Sequence, residues 1–183
     1  MIEDLRALLR AADLSGPFLV AGHSFGGLLA RLFAQRYRDE VQGLILVDAM
    51  HQDQFDVFGP LLPPPRPDEP PALRSMREFW QGGWRRPEST VERIDMVESI
   101  SQARGIRALG ALPLHLLTAG TCLNDPHIPP AHRQHMQDRW DALQGSFLQL
   151  SSAATQSFVK HSGHFIQRDD PQAIVDGIRA MVT

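Results

Sequence analysis

Residues 18–37 read FLVAGHSFGGLLARLFAQRY, and this stretch decides the fold. Its first four residues form an apolar run that predicts a buried β-strand, and its second half has apolar residues at helical spacing. Between the two, Gly22, Ser24 and Gly26 match the pattern G-x-S-x-G. In this pattern the serine lies on a sharp strand-to-helix turn that projects its hydroxyl above the sheet, and the two glycines keep the turn narrow. The sequence therefore predicts an exposed nucleophile at Ser24.

Outward from this turn, strands and helices alternate along the chain. The predicted strands are residues 18–21, 44–47 and 114–117 and a fourth near Phe158 and Val159; the predicted helices are residues 2–12, 28–37, 90–104, 131–143 and 171–182. This alternation predicts an α/β fold, with a mostly parallel sheet and helices on both faces. In such sheets the functional groups gather at the carboxyl ends of the strands.

One segment, residues 51–107, interrupts the alternation. Seven of the fourteen prolines lie between Pro60 and Pro71, where neither a regular helix nor a central strand can continue. The length of 183 residues and the hydrophobic content of 43% fit one compact domain, residues 1–183. We therefore interpret residues 51–107 as an insertion within a single domain.

Composition excludes several classes of protein. The net charge is −3 and no Lys/Arg block is present, so a nucleic-acid partner is not expected. Cys122 is the single cysteine, which excludes an internal disulfide and a thiolate zinc site. No apolar run approaches the roughly 18–20 residues that span a bilayer, and we expect a cytoplasmic protein without a membrane span. We also expect no metal and no cofactor, since His132 and His135, near His127 and Asp125, are typical of chance histidines on an exposed helix.

A serine nucleophile needs a histidine base. His164 follows the fourth predicted strand and precedes the last helix, so it lies at a strand's carboxyl end. His161 is three residues closer to the strand and is expected to face away from the mouth of the site. His164 is therefore the candidate base.

The Gly-His-Ser-Phe-Gly-Gly turn, the Ser-Gly-His-Phe segment around His164 and the Asp-Pro start of the last helix together resemble the α/β-hydrolase family, over essentially the whole chain. The resemblance implies a triad in the order serine, acid, histidine. Two acids fit between the serine and His164: Asp48 directly ends a strand, and Asp125 lies eight residues past Leu117. We prefer Asp48, because no connecting residues separate it from its strand, and we keep Asp125 as the alternative. The resemblance also implies that the N–H of Phe25 forms part of an oxyanion hole.

The resemblance places a lid at residues 51–107, with an apolar pocket beneath it. The candidate substrate contacts are His23, Phe55, Trp80 and Trp84. Family members that open epoxides or displace halide have a carboxylate at the position of the serine, so a serine favours acyl transfer. The sequence thus predicts an esterase-like serine hydrolase (EC 3.1.1 type) that cleaves a carboxylic ester or related acyl bond of a small apolar substrate. The alternative is a non-catalytic protein that binds a ligand or partner on the same scaffold.

The family normally has several strands before the nucleophile turn, whereas seventeen residues precede strand Phe18–Ala21 here. We therefore expect a truncated α/β-hydrolase fold, without the loop that donates the second oxyanion N–H. Strand Phe18–Ala21 has no charge and no proline, and at an edge it would be open to pairing. A homodimer or a complementing chain joined through residues 18–21 is the expected assembly.

Overall fold

The computed structural model of the protein describes residues 1–90, 92–122 and 128–182. Its sheet has four strands: β1 (Phe18–His23), β2 (Val41–Val47), β3 (Leu114–Ala119) and β4 (Ala154–Val159). They lie in the order β1-β2-β3-β4, and each pair is parallel. The predicted parallel α/β fold is therefore confirmed.

The helices of the described part are α1 (Ile2–Ala11), α2 (Phe25–Arg36), α3 (Gln54–Phe58), α4 (Pro71–Gln81), α5 (Met96–Arg104), α6 (Pro130–Ser146), α7 (Ile166–Asp169) and α8 (Pro171–Val182). One predicted boundary is wrong, because Thr90 does not begin α5. The carboxylate of Asp95 caps that helix by accepting a hydrogen bond from the N–H of Glu98 at 2.9 Å. The Thr90 hydroxyl instead accepts one from the N–H of Ile94, within the turn before the helix. None of these helices is long and apolar enough to cross a membrane.

The two central strands are buried on both faces, which explains why their sequences are continuous apolar runs. Leu44 and Leu46 of β2 face a core that includes Phe33 of α2. Ile45 and Val47, which alternate with them, face the other core, against α8. All four strand residues are at most 3% exposed. Helices therefore cover both faces of the sheet, as the alternation predicts.

The described residues of segment 51–107, interpreted above as an insertion, fold into α3, α4 and α5 with short 3-10 turns between them. Its proline-rich stretch is tied to α4 by Arg77, whose guanidinium donates to the Pro63 carbonyl at 2.7 Å and to both carboxylate oxygens of Glu69. Both charged side chains are buried. Because Arg77 holds the ionised carboxylate, the pKa of Glu69 falls to about 2. The proline run is thus a packed part of the insertion.

Candidate active site

Ser24 follows β1 directly and precedes the first residue of α2. Its backbone has φ 51° and ψ −121°, a conformation that L-residues rarely adopt. The turn is held by its neighbours, since the Ser24 N–H donates to the Val47 carbonyl at 3.1 Å and the Ser24 carbonyl accepts from Met50 at 2.9 Å. The serine is therefore fixed at the carboxyl end of the sheet in a strained turn.

The glycines around the turn differ in what they are needed for. A Cβ on Gly22 would lie 2.3 Å from the Gly26 carbonyl oxygen, and one on Gly27 would lie 2.4 Å from the Cβ of Ala49. A Cβ on Gly26 would meet nothing within 4 Å. The expectation that Gly22 and Gly26 both keep the turn narrow is thus correct for Gly22 and wrong for Gly26. The second close approach falls on Gly27, where α2 crosses the segment after β2.

Phe25 is the first residue of α2. The N–H groups of a helix's first turn have no acceptor within the helix, and they carry the positive end of its dipole. A backbone N–H beside the serine is therefore available to a negatively charged oxygen at the site.

The structure brings His164 and Asp48 together. His164 Nδ1 lies 2.7 Å from Asp48 Oδ2, and the Asp48 side chain is completely buried whereas that of His164 is one-third exposed. The other carboxylate oxygen of Asp48 accepts from the Ala119 N–H at 3.0 Å and from the Trp140 indole N–H at 2.8 Å. Because Nδ1 donates to the carboxylate, Nε2 of His164 is left as the proton acceptor. The alternative acid, Asp125, and the nearby His127 lie outside the described residues.

His23 lies behind the site. Its Nε2 donates to the backbone carbonyl of His164 at 2.8 Å, and the two rings are 4.5 Å apart. Burial lowers the pKa of His23, which favours this neutral, donating form. His23 is not among the residues that line the cavity described next, so its placement is that of a support for His164, not of a substrate contact. His161 lines a separate groove beside β4 and α8.

A cavity of about 330 Å³ lies between the carboxyl ends of the strands and the insertion. It is lined by Ser24, Phe25, Asp48, Met50, Gln54, Phe55, Phe58, Leu62, Met76, Phe79, Trp80, Met96, Cys122, Met136, Trp140 and His164. Burial raises the pKa of the Cys122 thiol to about 12, so this thiol stays protonated. The walls are therefore almost entirely apolar around a serine, a histidine and a carboxylate.

Two of the predicted aromatic contacts, Phe55 and Trp80, line this cavity, and the third, Trp84, does not. Trp84 stacks on Phe55 with ring centroids 4.6 Å apart and an interplanar angle of 7°. It lines a separate hollow within the insertion instead. Trp84 thus supports a cavity wall from behind.

A second group of serine, histidine and aspartate is structural. His51 is 4% exposed, and its Nε2 lies 3.0 Å from the Ser146 hydroxyl. The Ser146 hydroxyl donates to the Leu143 carbonyl at 2.7 Å, so it accepts from His51 and keeps its own proton away from the ring. The Asp53 N–H donates to His51 Nδ1 at 3.1 Å. Both ring nitrogens are satisfied by the neutral form, and burial lowers the pKa of His51 to about 4.

Trp140, Gln54 and the four cavity methionines have no counterpart in the sequence prediction. Trp140 contacts an acid 92 positions away in the chain, and no local pattern connects the two. Met76, Met96 and Met136 lie on three different helices, α4, α5 and α6. Met50 lies in the segment after β2, and the four share no sequence motif. For Trp140, one sequence feature indicates a place near the site: it lies in a predicted helix between the last two strands.

Comparison with known proteins agrees with this geometry. A sequence model described as "Alpha/beta hydrolase family" matches residues 2–177. The chain therefore belongs to the alpha/beta hydrolase family, as the serine turn and the His164 segment predict.

One curated protein and two solved structures resemble the chain at 15–23% identity. Protein YqjL of Bacillus subtilis (strain 168), whose activity is uncharacterised, is 23% identical over 176 residues. The match covers 94% of this chain and 60% of YqjL, so the chain spans about three-fifths of that relative's length. Among solved structures, a marine microorganism esterase matches with TM-score 0.55 and 15% identity, over 98% of this chain and 75% of the esterase. An inhibitor complex of Bacillus megaterium epoxide hydrolase matches with TM-score 0.54 and 15% identity, over 99% and 74%. At this level of identity, the two solved structures show that the chain shares their fold and show nothing further.

Proposed function

We propose that the chain is a serine hydrolase that cleaves a carboxylic ester or a related acyl bond of a small apolar substrate. One observation carries the proposal: Ser24, in a strained strand-to-helix turn, shares a cavity with His164, whose ring donates to the buried carboxylate of Asp48. Membership of the alpha/beta hydrolase family supports a hydrolase in general. The serine in the turn favours acyl chemistry.

In the proposed reaction, Ser24 Oγ attacks the acyl carbon while His164 Nε2 takes the hydroxyl proton. The carbonyl oxygen becomes an oxyanion, which the Phe25 N–H holds. Asp48 keeps the ring oriented and stabilises the imidazolium. Collapse of the intermediate breaks the acyl–oxygen bond, and the alcohol leaves with the proton from His164. Water, deprotonated by His164, then releases the acid and restores Ser24.

The cavity supports a neutral, apolar substrate. Beyond Asp48 and His164, its described lining has no charged side chain, and Gln54 supplies a single neutral amide. A charged substrate would lose its hydration there without a partner. The volume of about 330 Å³ is at the small end for ligand sites. The unbranched thioethers of Met50, Met76, Met96 and Met136 can adapt to apolar groups of several shapes. We infer that residues 51–107 act as the lid, which supplies eight of the sixteen residues that line the cavity.

The proposal is tested by labelling folded protein with a fluorophosphonate and mapping the modified peptide. We expect an adduct on Ser24, none in Ser24→Ala, and hydrolysis of short p-nitrophenyl esters that the same substitution abolishes. Gly26→Ala is the matched control, since it changes the turn without a close contact. Absence of labelling and turnover in the wild type, together with retention of an intact apolar ester by both proteins, would select a non-catalytic binding protein instead.

A further inference from the structure

Helix α6 has a polar stripe directed at the ends of two strands. Gln137, Trp140 and Gln144 are spaced three and four residues apart, which places them on one face. The amide of Gln144 donates to the Ala49 carbonyl at 2.7 Å, and that of Gln137 donates to the Ala119 carbonyl at 3.1 Å. The indole N–H of Trp140, between them, donates to Asp48 at 2.8 Å. One face of α6 therefore holds the segment after β2 and the end of β3.

The hydrogen bonds to Asp48 are divided between its two oxygens. Oδ1 accepts from Ala119 and Trp140, which belong to different elements, and Oδ2 accepts from His164. A carboxylate held at one oxygen by two donors in different directions cannot rotate freely, so its second oxygen stays aimed at the histidine. A fully buried carboxylate also needs such donors, because burial of an unpaired charge is costly.

We propose that Trp140 is a positioning residue that acts through Asp48: its indole N–H fixes the carboxylate so that Oδ2 orients His164. The inference rests on the proposed function and deepens it. Trp140 also contacts Phe58, with ring centroids 5.6 Å apart at 84°, so a phenylalanine at position 140 retains aromatic packing while losing the N–H. Helix α6 thereby becomes part of the machinery that aligns the base.

The kinetic test compares Trp140→Phe with Tyr37→Phe. Tyr37 directly follows α2, its hydroxyl donates to the carboxylate of Glu3, and it does not line the cavity. We expect Trp140→Phe to lower kcat for a p-nitrophenyl ester by roughly tenfold, the lower end of the effect of removing such a supporting hydrogen bond, with KM changed by less than about twofold. Tyr37→Phe also removes a donor to a carboxylate while keeping its ring, and it should leave both constants within about twofold of wild type. Equal kcat values for the two folded variants, or an effect of Trp140→Phe confined to KM, would overturn the proposal.

A spectroscopic test does not depend on activity or on the folding of the Trp140 variant. In protein labelled with ¹⁵N-tryptophan, Asp48→Asn should shift the indole resonance of Trp140 upfield, because its acceptor loses its charge, while those of Trp80 and Trp84 move little. An unmoved Trp140 resonance would overturn the proposal. The proposed function fails separately, if wild-type protein neither hydrolyses esters nor reacts with the fluorophosphonate while the indole shift is still observed.

Discussion

Acidification should destabilise this protein through His51, well above the pH at which carboxylates protonate. His51 is buried and neutral, with its pKa lowered from 6.5 to about 4, and burial is the main cause. The nearby charges of Arg31 and Arg104 lower it further, and Asp53 opposes them. In the unfolded chain the ring is free to protonate at its ordinary value. The unfolded state therefore binds more protons than the folded state between about pH 6.5 and pH 4, and stability falls as the pH falls through that window.

The size of the effect follows from the two values. Each pH unit inside the window is worth about 1.4 kcal/mol for one proton, so the step from pH 7 to pH 5 removes about 2 kcal/mol from the free energy of unfolding. Burial also lowers the pKa values of His23 and His115, so these residues further reduce the free energy of unfolding as the pH falls. Glu69, with its pKa near 2, contributes only at lower pH.

Urea unfolding of wild-type protein and His51→Phe at pH 7, 6 and 5 isolates this residue. Phenylalanine keeps a ring against Phe147, which lies 5.0 Å from the histidine ring, but it cannot titrate. The variant is expected to be less stable at pH 7, because it loses the bonds to Ser146 and Asp53. Its stability should nevertheless fall about 2 kcal/mol less than that of wild type between pH 7 and pH 5. Parallel pH dependences in the two proteins would refute the reasoning.

The triad acid, the serine turn and the β1 edge of the sheet can each be tested by a substitution. Asp48→Asn should lower ester turnover by ~10³–10⁴-fold while Asp125→Asn has little effect, because Asp48 holds the Nδ1 of the base. Gly22→Ala should abolish Ser24 labelling or folding, since its Cβ would lie 2.3 Å from a backbone oxygen, whereas Gly26→Ala should be tolerated. Leu19→Lys, on the β1 strand that ends the sheet, should weaken self-association in sedimentation at micromolar concentration.

Each of these has a distinct contrary outcome. If Asp125→Asn is inactive while Asp48→Asn stays active, Asp125 is the triad acid. Wild-type labelling in a folded Gly22→Ala protein would mean that the turn can open without losing the nucleophile. A wild-type protein that sediments as a stable monomer would mean that β1 is not an association edge.

The sequence predicts the groups that local patterns determine. Ser24 lies between an apolar run and a helical stripe, and His164 lies between a strand and a helix, so position in the alternation identifies both. The same rule favours Asp48 as the acid, since it is the first residue after β2, but it leaves Asp125 as an alternative. Ser24, Asp48 and His164 line one cavity because the carboxyl ends of parallel strands lie at one edge of the sheet.

The structure within residues 51–107 and the supports of the site are not predictable in this way. Helix α4 begins at Pro71, the last of the clustered prolines, because a proline is tolerated at the first helical position even where it would stop a helix elsewhere. Trp140 donates to Asp48, and Trp84 lies behind Phe55 and does not line the cavity. Both arrangements depend on packing between distant segments. Tertiary contacts of this kind leave no mark on hydrophobic periodicity.

The four methionines around the cavity give the site a chemical vulnerability that a wall of leucine would not have. Oxidation converts a thioether to a sulfoxide, which is polar and chiral. A single sulfoxide at Met50, Met76, Met96 or Met136 would put a strong dipole into a chamber whose described walls, apart from the proposed triad, carry one neutral amide. The adaptability that lets these side chains accommodate different apolar groups therefore comes with sensitivity to peroxide, and methionine sulfoxide reductases are the enzymes that would reverse the damage.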